Sequence, residues 1–262
     1  MKAVLTIAGS DCSGGAGIQA DLKTITSLGL YGETVITALT AQNTMGVADI
    51  CPVSPDLLRK QLECVFTDIV PDAVKVGMVT GVAQMQVIRD CLVKYRASQV
   101  VMDTVMVSTS GRYLMEPKAV GYYRENLLPL ATICTPNLPE AELLLKTTIK
   151  TKEERVAAAS EFALQYRSII YLKGGHDDCR ADDLFYDGQE FVWFEAPHID
   201  SSNTHGTGCT LSSAIACGLA MGLSAKDSAW KAKEYVMGAI ADGMNLGKGN
   251  GPLNHMYRMK KP

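Results

Sequence analysis

Long apolar runs, basic clusters and paired cysteines are all missing from this chain, and each absence removes a class of function. No apolar stretch reaches the roughly 20 residues that a membrane-spanning helix requires, and no positively charged leader with a cleavage site precedes the first apolar run. The 25 Lys and Arg residues against 28 Asp and Glu leave a net charge of −3, with no basic cluster among the aromatics. Nucleic acid and anionic membrane are therefore poor partners. The eight cysteines form no CxxC pair and no Cys/His spacing suited to zinc. Scattered thiols of this kind are expected to be free, in a reducing cytoplasm. Aromatics are sparse at 6%, yet 47% of the 262 residues are hydrophobic, enough for the core of one large domain. No linker, repeat or composition shift interrupts residues 1–262, so one domain is expected.

Strand-like runs alternate with helical patterns almost throughout. Residues 34–40 are β-branched and continuous, as a strand buried on both faces should be. Residues 73–76, 100–107, 131–135 and 168–172 read as further strands. Between them one helix is clearly punctuated, with Ser54 as N-cap, Pro55 at its first position and Asp56 in its first turn. Leu58, Leu62, Val65, Phe66 and Ile69 follow at helical spacing. Such alternation predicts an α/β fold with a central, mostly parallel sheet and helices on both faces. One stretch departs from it. Residues 183–186 and 191–194, joined through Asp187-Gly188, predict an antiparallel hairpin near one edge.

Two glycine-rich loops stand at opposite ends of the chain. The segment Asn203-Thr204-His205-Gly206-Thr207-Gly208-Cys209-Thr210 runs into a small-residue helix over 211–222. Without Cβ atoms at Gly206 and Gly208, backbone N–H groups there can turn toward an anion, and the helix start adds its positive end. Beside that spot sits a group able to take a proton, the Cys209 thiol. The second loop, over residues 7–17, contains Gly9, Gly14, Gly15 and Gly17 between a strand at 3–7 and a helix at 18–28. It matches neither GxGxxG nor GxxxxGK[ST], since Lys23 comes too late, so a substrate loop is expected rather than a nucleotide loop.

Four polar residues follow predicted strands, where ligands bind in open α/β sheets. Asp103 ends one strand and is suited to hold a metal-bound water. Asn137 and Glu140 lie just after another, with Pro139 placing Glu140 in the opening turn of a helix. Lys173 ends a third, before Gly174-Gly175, where an ammonium meets phosphate. Each alone has an ordinary explanation as a strand-end or helix-start charge. Together they point to phosphate chemistry.

These motifs, with Ala8-Gly9-Ser10-Asp11, Gln19-Ala20-Asp21, Thr40-Ala41-Gln42-Asn43-Thr44, Pro136-Asn137-Leu138-Pro139-Glu140 and Lys173-Gly174-Gly175-His176, resemble the ribokinase-like superfamily from end to end. Within it the chain is most similar to the hydroxymethylpyrimidine/phosphomethylpyrimidine kinases of thiamine biosynthesis. The resemblance implies a ribokinase-like sheet, a small-molecule substrate, ATP as donor and Mg2+. It implies that Gln42 and the backbone near Thr40 read the pyrimidine edge, and that Met78 packs on the ring in a pocket that Val105 also lines. Asp21 and the Gly9 loop would hold the hydroxymethyl side. Asp103, Asn137 and Glu140 would organise Mg2+, Lys173 would contact donor phosphate, and Gly206, Thr207 and Gly208 would form the anion hole. Cys209 stands where many superfamily members carry an Asp, and is expected to be the base. A helix N-terminus is expected to lower its pKa from about 8.5, so that it alkylates faster than Cys64 or Cys217, both read as helix-borne core residues. Residues 108–112 are expected to form a mobile lid. Pyridoxal kinase is the nearest alternative, disfavoured because Ser108 stands where that branch carries a reactive cysteine. A non-catalytic binding protein of the same fold is the alternative from another class. A homodimer is left open.

Overall fold

The computed structural model describes residues 1–107, 113–174 and 180–259. Among the described residues nine strands form a single sheet: β1 (Ala3–Asp11), β2 (Tyr31–Asn43), β3 (Gly46–Pro52), β4 (Ala73–Val76), β5 (Val100–Met102), β6 (Ile133–Cys134), β7 (Ile169–Leu172), β8 (Asp183–Tyr186) and β9 (Phe191–Phe194). Their spatial order is β3-β2-β1-β4-β5-β6-β7-β8-β9. Pairing is parallel from β2 through β7, while β3 at one edge and β8–β9 at the other run antiparallel. The expected hairpin lies where residues 183–194 placed it. The strand β3 at the opposite edge has no sequence signal, because its residues are exposed or half-buried throughout and show no apolar alternation.

Alternation along the strands sends successive side chains to opposite faces. Leu5, Val74, Val100 and Met102 pack into one apolar cluster with α2 (Pro55–Phe66), α3 (Val82–Lys94), α4 (Ala119–Asn126), α5 (Leu138–Leu145) and α6 (Lys152–Tyr166). Val4, Ala73, Val101 and Ile133 pack into a second with α1 (Gly17–Ser27), α7 (Thr207–Ala220) and α8 (Ala225–Ala241). Both faces are covered, as parallel strands require. Within α2, Leu58, Leu62 and Phe66 point inward, and Ser54 caps the helix by accepting the Leu57 N–H. Ile69 lies beyond its end and is exposed.

The chain leaves β1 for β2 on one side and later returns to β4 on the other. That reversal opens a crevice at the carboxyl ends of β1 and β4, the place where open α/β sheets receive ligands. Strand β5 ends at Met102 rather than at residue 107, so Asp103, Val105 and Val107 are freed to line that crevice.

Candidate functional site

The crevice is a cavity of about 730 Å³. Its floor is built by the two glycine loops, which meet through one buried contact. Asp11, the last residue of β1, draws the first loop around its carboxylate. It accepts the N–H groups of Ser13, Gly15 and Ala16 and the Ser13 hydroxyl, and lies 2.8 Å from Nε2 of His205. Burial alone would raise Asp11, but the bonds from His205, Ser13 and Ala16 outweigh it and hold the carboxyl down at about 2. Close approach completes the join. A Cβ at Gly206, where φ is +86°, would lie 1.9 Å from the Gly15 carbonyl oxygen, so only glycine fits there.

Gly206 is also the N-cap of α7, and no side chain caps that end. The helix therefore starts four residues before the sequence pattern placed it, with Thr207, Gly208 and Cys209 in its first turn, all on the cavity wall. A free helix start here presents N–H groups and positive potential.

Beside it, with its ammonium 3.5 Å from where a Cβ on Gly208 would stand, Lys173 bridges two acids. Its Nζ lies 3.4 Å from Asp103 and 3.8 Å from Glu140. Burial would lower the lysine, but Asp103 and Glu140 more than offset this and keep the ammonium charged. Glu140 is raised by its burial, partly countered by Lys173. Its carboxylate accepts from Thr104 Oγ1 at 2.8 Å and from the Asn137 N–H at 2.9 Å, while Asn137 Oδ1 accepts the Glu140 N–H. This capping box, closed by Pro139 in the first turn, explains why the motif holds that shape. Asp103 also accepts from Ser212 of α7 and Thr135. No cluster of three or more acidic, His or Cys ligands occurs among the described residues. Asp103 and Glu140 nonetheless suit Mg2+, which takes one or two carboxylates and completes its shell with waters and phosphates.

The other end of the cavity holds Gly9, Thr40, Gln42, Met78 and Val105. Met78 packs tightly on Gly9, with its Cε 2.8 Å from where a Cβ would stand. On the far wall, Lys233 of α8 pairs with Asp183 at 2.6 Å, which also accepts from Tyr171.

Three expectations are corrected. Asp21 is not at the cavity: its side chain is fully buried, ion-paired with Lys75 at 2.8 Å and bonded to Thr6 and Ser213. Nothing in the pattern of residues 73–76 signals that Lys75 of β4 points inward. Cys209, half-buried and held between α1 and α7, is not acidified. Desolvation pushes its thiol up to about 11, against a smaller opposing pull from Lys75. Cys64 is exposed, on the side of α2 away from Leu58, Leu62 and Phe66, whereas Cys217 is buried as expected. The expected lid at residues 108–112, with Ser108, and the His176 end of the Lys173 motif lie outside the described residues. Asp11 and His205 lie within the two glycine-rich motifs, where the sequence pattern alone assigns them no role. Only their contact, 194 residues apart, reveals one.

A family model described as phosphomethylpyrimidine kinase matches residues 11–254. The chain is 46% identical to a hydroxymethylpyrimidine/phosphomethylpyrimidine kinase of Rhizobium meliloti, over 98% of both chains. It is 48% identical, over 97% of its length, to a thiamine biosynthesis bifunctional protein of Geobacter sulfurreducens, spanning 52% of that longer relative. A solved ADP complex of Bacillus subtilis pyridoxal kinase superposes with a TM-score of 0.91 at 35% identity, covering 99% of this chain and all of that one. Fold, cavity and sequence thus converge, and the chain belongs to the phosphomethylpyrimidine kinase family, whose members are phosphotransferases.

Proposed function

We propose that this cavity transfers the γ-phosphoryl group of ATP to the hydroxymethyl oxygen of hydroxymethylpyrimidine, and then to the monophosphate so formed. One observation carries the reading: Lys173, Asp103 and Glu140 gather beside an uncapped helix start, across the cavity from the polar side chain of Gln42. Phosphoryl transfer is catalysed mostly by positioning and charge neutralisation, and this wall supplies both. Lys173 contacts donor phosphate, and the N–H groups of Gly206 and Gly208 receive the oxygens that gain charge, the Thr207 N–H being held by the Thr204 carbonyl. Asp103 and Glu140 would hold Mg2+, whose charge would neutralise the phosphates of ATP, and Asn137 shapes the turn that carries Glu140.

At the other end Gln42 and the backbone at Thr40 meet the edge of the ring, while Met78 and Val105 cover its face. With Asp21 committed to Lys75, the hydroxymethyl side falls to the Gly9 loop alone. Cys209 Sγ takes the hydroxyl proton as the oxygen–phosphorus bond forms and the bond to ADP breaks. At about 11 the thiol is ionised in roughly one molecule in 10⁴ at pH 7. A loose transition state asks little of the base, so that minor form suffices.

The test is ADP release measured side by side on hydroxymethylpyrimidine, its monophosphate and pyridoxal. The expected result is higher kcat/KM on the two pyrimidines; equal or higher kcat/KM on pyridoxal overturns the reading in favour of the activity of the Bacillus neighbour. Gln42→Leu is expected to weaken pyrimidine binding by about 1–3 kcal/mol, because it leaves a polar edge unpaired.

A further inference from the structure

The hydrogen bonds around Gln42 conflict in the orientation that the structure carries. Its amide nitrogen lies 3.2 Å from Nε2 of His205, and its Oε1 lies 3.2 Å from Oγ1 of Thr40. The same His205 nitrogen lies 2.8 Å from Oδ2 of Asp11. Asp11 is ionised and can only accept, so His205 Nε2 carries a proton and donates it. An amide nitrogen facing that N–H sets donor against donor. Thr40 has the matching difficulty. Its single hydroxyl proton goes to the Ser10 carbonyl at 2.8 Å, so its second neighbour must donate to it rather than accept. Turning the amide over removes both conflicts. Oε1 then takes a share of the His205 Nε2–H that Asp11 also accepts, in a three-centre bond, and Nε2–H of Gln42 donates to Thr40 Oγ1.

We propose that His205, anchored by Asp11, is a specificity-determining residue that locks the Gln42 amide with its oxygen toward His205 and its nitrogen toward Thr40. This deepens the pyrimidine-kinase reading and rests on it. One lone pair on Oε1 and one N–H on Nε2 remain for a ligand in the cavity that Gln42 lines. The ligand edge must then offer a donor on the His205 side and an acceptor on the Thr40 side. An amino group next to a ring nitrogen offers that pattern, and a ring carbonyl next to a ring N–H offers the reverse. A free glutamine serves either edge by rotating its amide; a locked one serves only the first. Shifting the whole residue is resisted as well, because Cys12 Sγ donates to the Gln42 carbonyl at 3.0 Å and accepts its N–H at 3.3 Å.

The alternative is that His205 merely fills space above Gly15, where its Cδ2 would be 2.3 Å from an added Cβ. The two differ in what a substitution does to substrate preference. ADP release is measured with a hydroxymethyl aminopyrimidine and with its oxo counterpart, in the wild type, His205→Phe and Thr40→Val. The wild type is expected to favour the amino ring by about 100-fold or more, since unpaired polar groups in a built site are costly. Each variant is expected to narrow that ratio about tenfold, through KM rather than kcat. A space-filling role lowers activity on both rings alike and leaves the ratio unchanged, and an unchanged ratio in the folded variants overturns the proposal. Should His205→Phe not fold, Thr40→Val frees the opposite end of the amide and decides the matter alone. Nitrogen-15 spectra of the wild-type histidines give a readout independent of turnover: a proton on His205 Nε2 supports the lock, and one on Nδ1 alone overturns it. A wild type inactive on both rings refutes the pyrimidine reading itself, an outcome distinct from an active enzyme with an unchanged ratio.

Discussion

At Cys209, enclosure by α1 and α7 sets the thiol at about 11, while the Lys75 ammonium and the Gly17 N–H pull it down. Below that value the ionised fraction rises about tenfold per pH unit. Wild-type kcat is therefore expected to climb between pH 7 and 10, whereas Cys209→Asp, already ionised, keeps partial activity without the climb. Cys209→Ala is expected to lower kcat by about 10²–10⁴-fold with little change in KM. Near-wild-type kcat in a folded Cys209→Ala would give the proton to a phosphate oxygen instead. At pH 7 the thiol is expected to alkylate more slowly than the exposed Cys64, and substrate should slow it further. Glu33 of β2 provides a second titration, remote from the cavity. Burial, with the Asp68 charge adding, raises its carboxyl to about 7, and one of its oxygens has no partner among the described residues. Because the folded value exceeds the ordinary 4.5, the folded state holds this proton more tightly. That contribution is complete below about 4.5 and is lost as pH rises through 7. Glu33→Gln should match the wild-type melting temperature at pH 4 and exceed it at pH 8. In a protein of this size about 2–4 °C corresponds to each kcal/mol.

Among the elements, α5 separates structural from chemical roles at the phosphate wall. Asn137→Ala removes the N-cap and is expected to cost about 1 kcal/mol in urea unfolding, while Asn137→Asp keeps the cap and the stability. Equal losses in both variants would mean that the Asn137 amide itself, not the cap, holds this turn. The elements also show where the sequence was readable. The strand over 73–76 and the hairpin at 183–194 coincide with β4, β8 and β9, because continuous β-branched or aromatic runs bounded by turn residues leave few alternatives. Strand β3 was unreadable, since an exposed edge has no buried face to impose a pattern. The cavity residues at strand ends were legible from their chemistry. The inward turn of Lys75, and with it the true place of Asp21, was not, because a lysine in Ala-Val-Lys-Val carries no sign of its partner.

Across the whole molecule, the Lys75–Asp21 pair joins β4 to α1, and through Ser213 to α7, beneath the cavity. Lys75→Met alone strands a buried carboxylate and is expected to cost about 3–5 kcal/mol in denaturant unfolding. Lys75→Met combined with Asp21→Asn should recover most of that loss. A double variant no better than the single one would show that the pair contributes attraction and not only mutual neutralisation. The join between the two glycine loops has a consequence for how the enzyme comes into being. Asp11 and His205 stand 194 residues apart in the chain, so the two glycine loops that floor the cavity are brought together by one of the longest loop closures available to the fold. Contacts of such separation form late and slow the search for the native state. A chain still emerging from the ribosome can build β1, β2 and their helices long before α7 exists, but it has no floor to its cavity. Catalytic competence therefore arrives only once α7 has been made, and a chain stalled before it has no half-formed kinase with which to hydrolyse ATP.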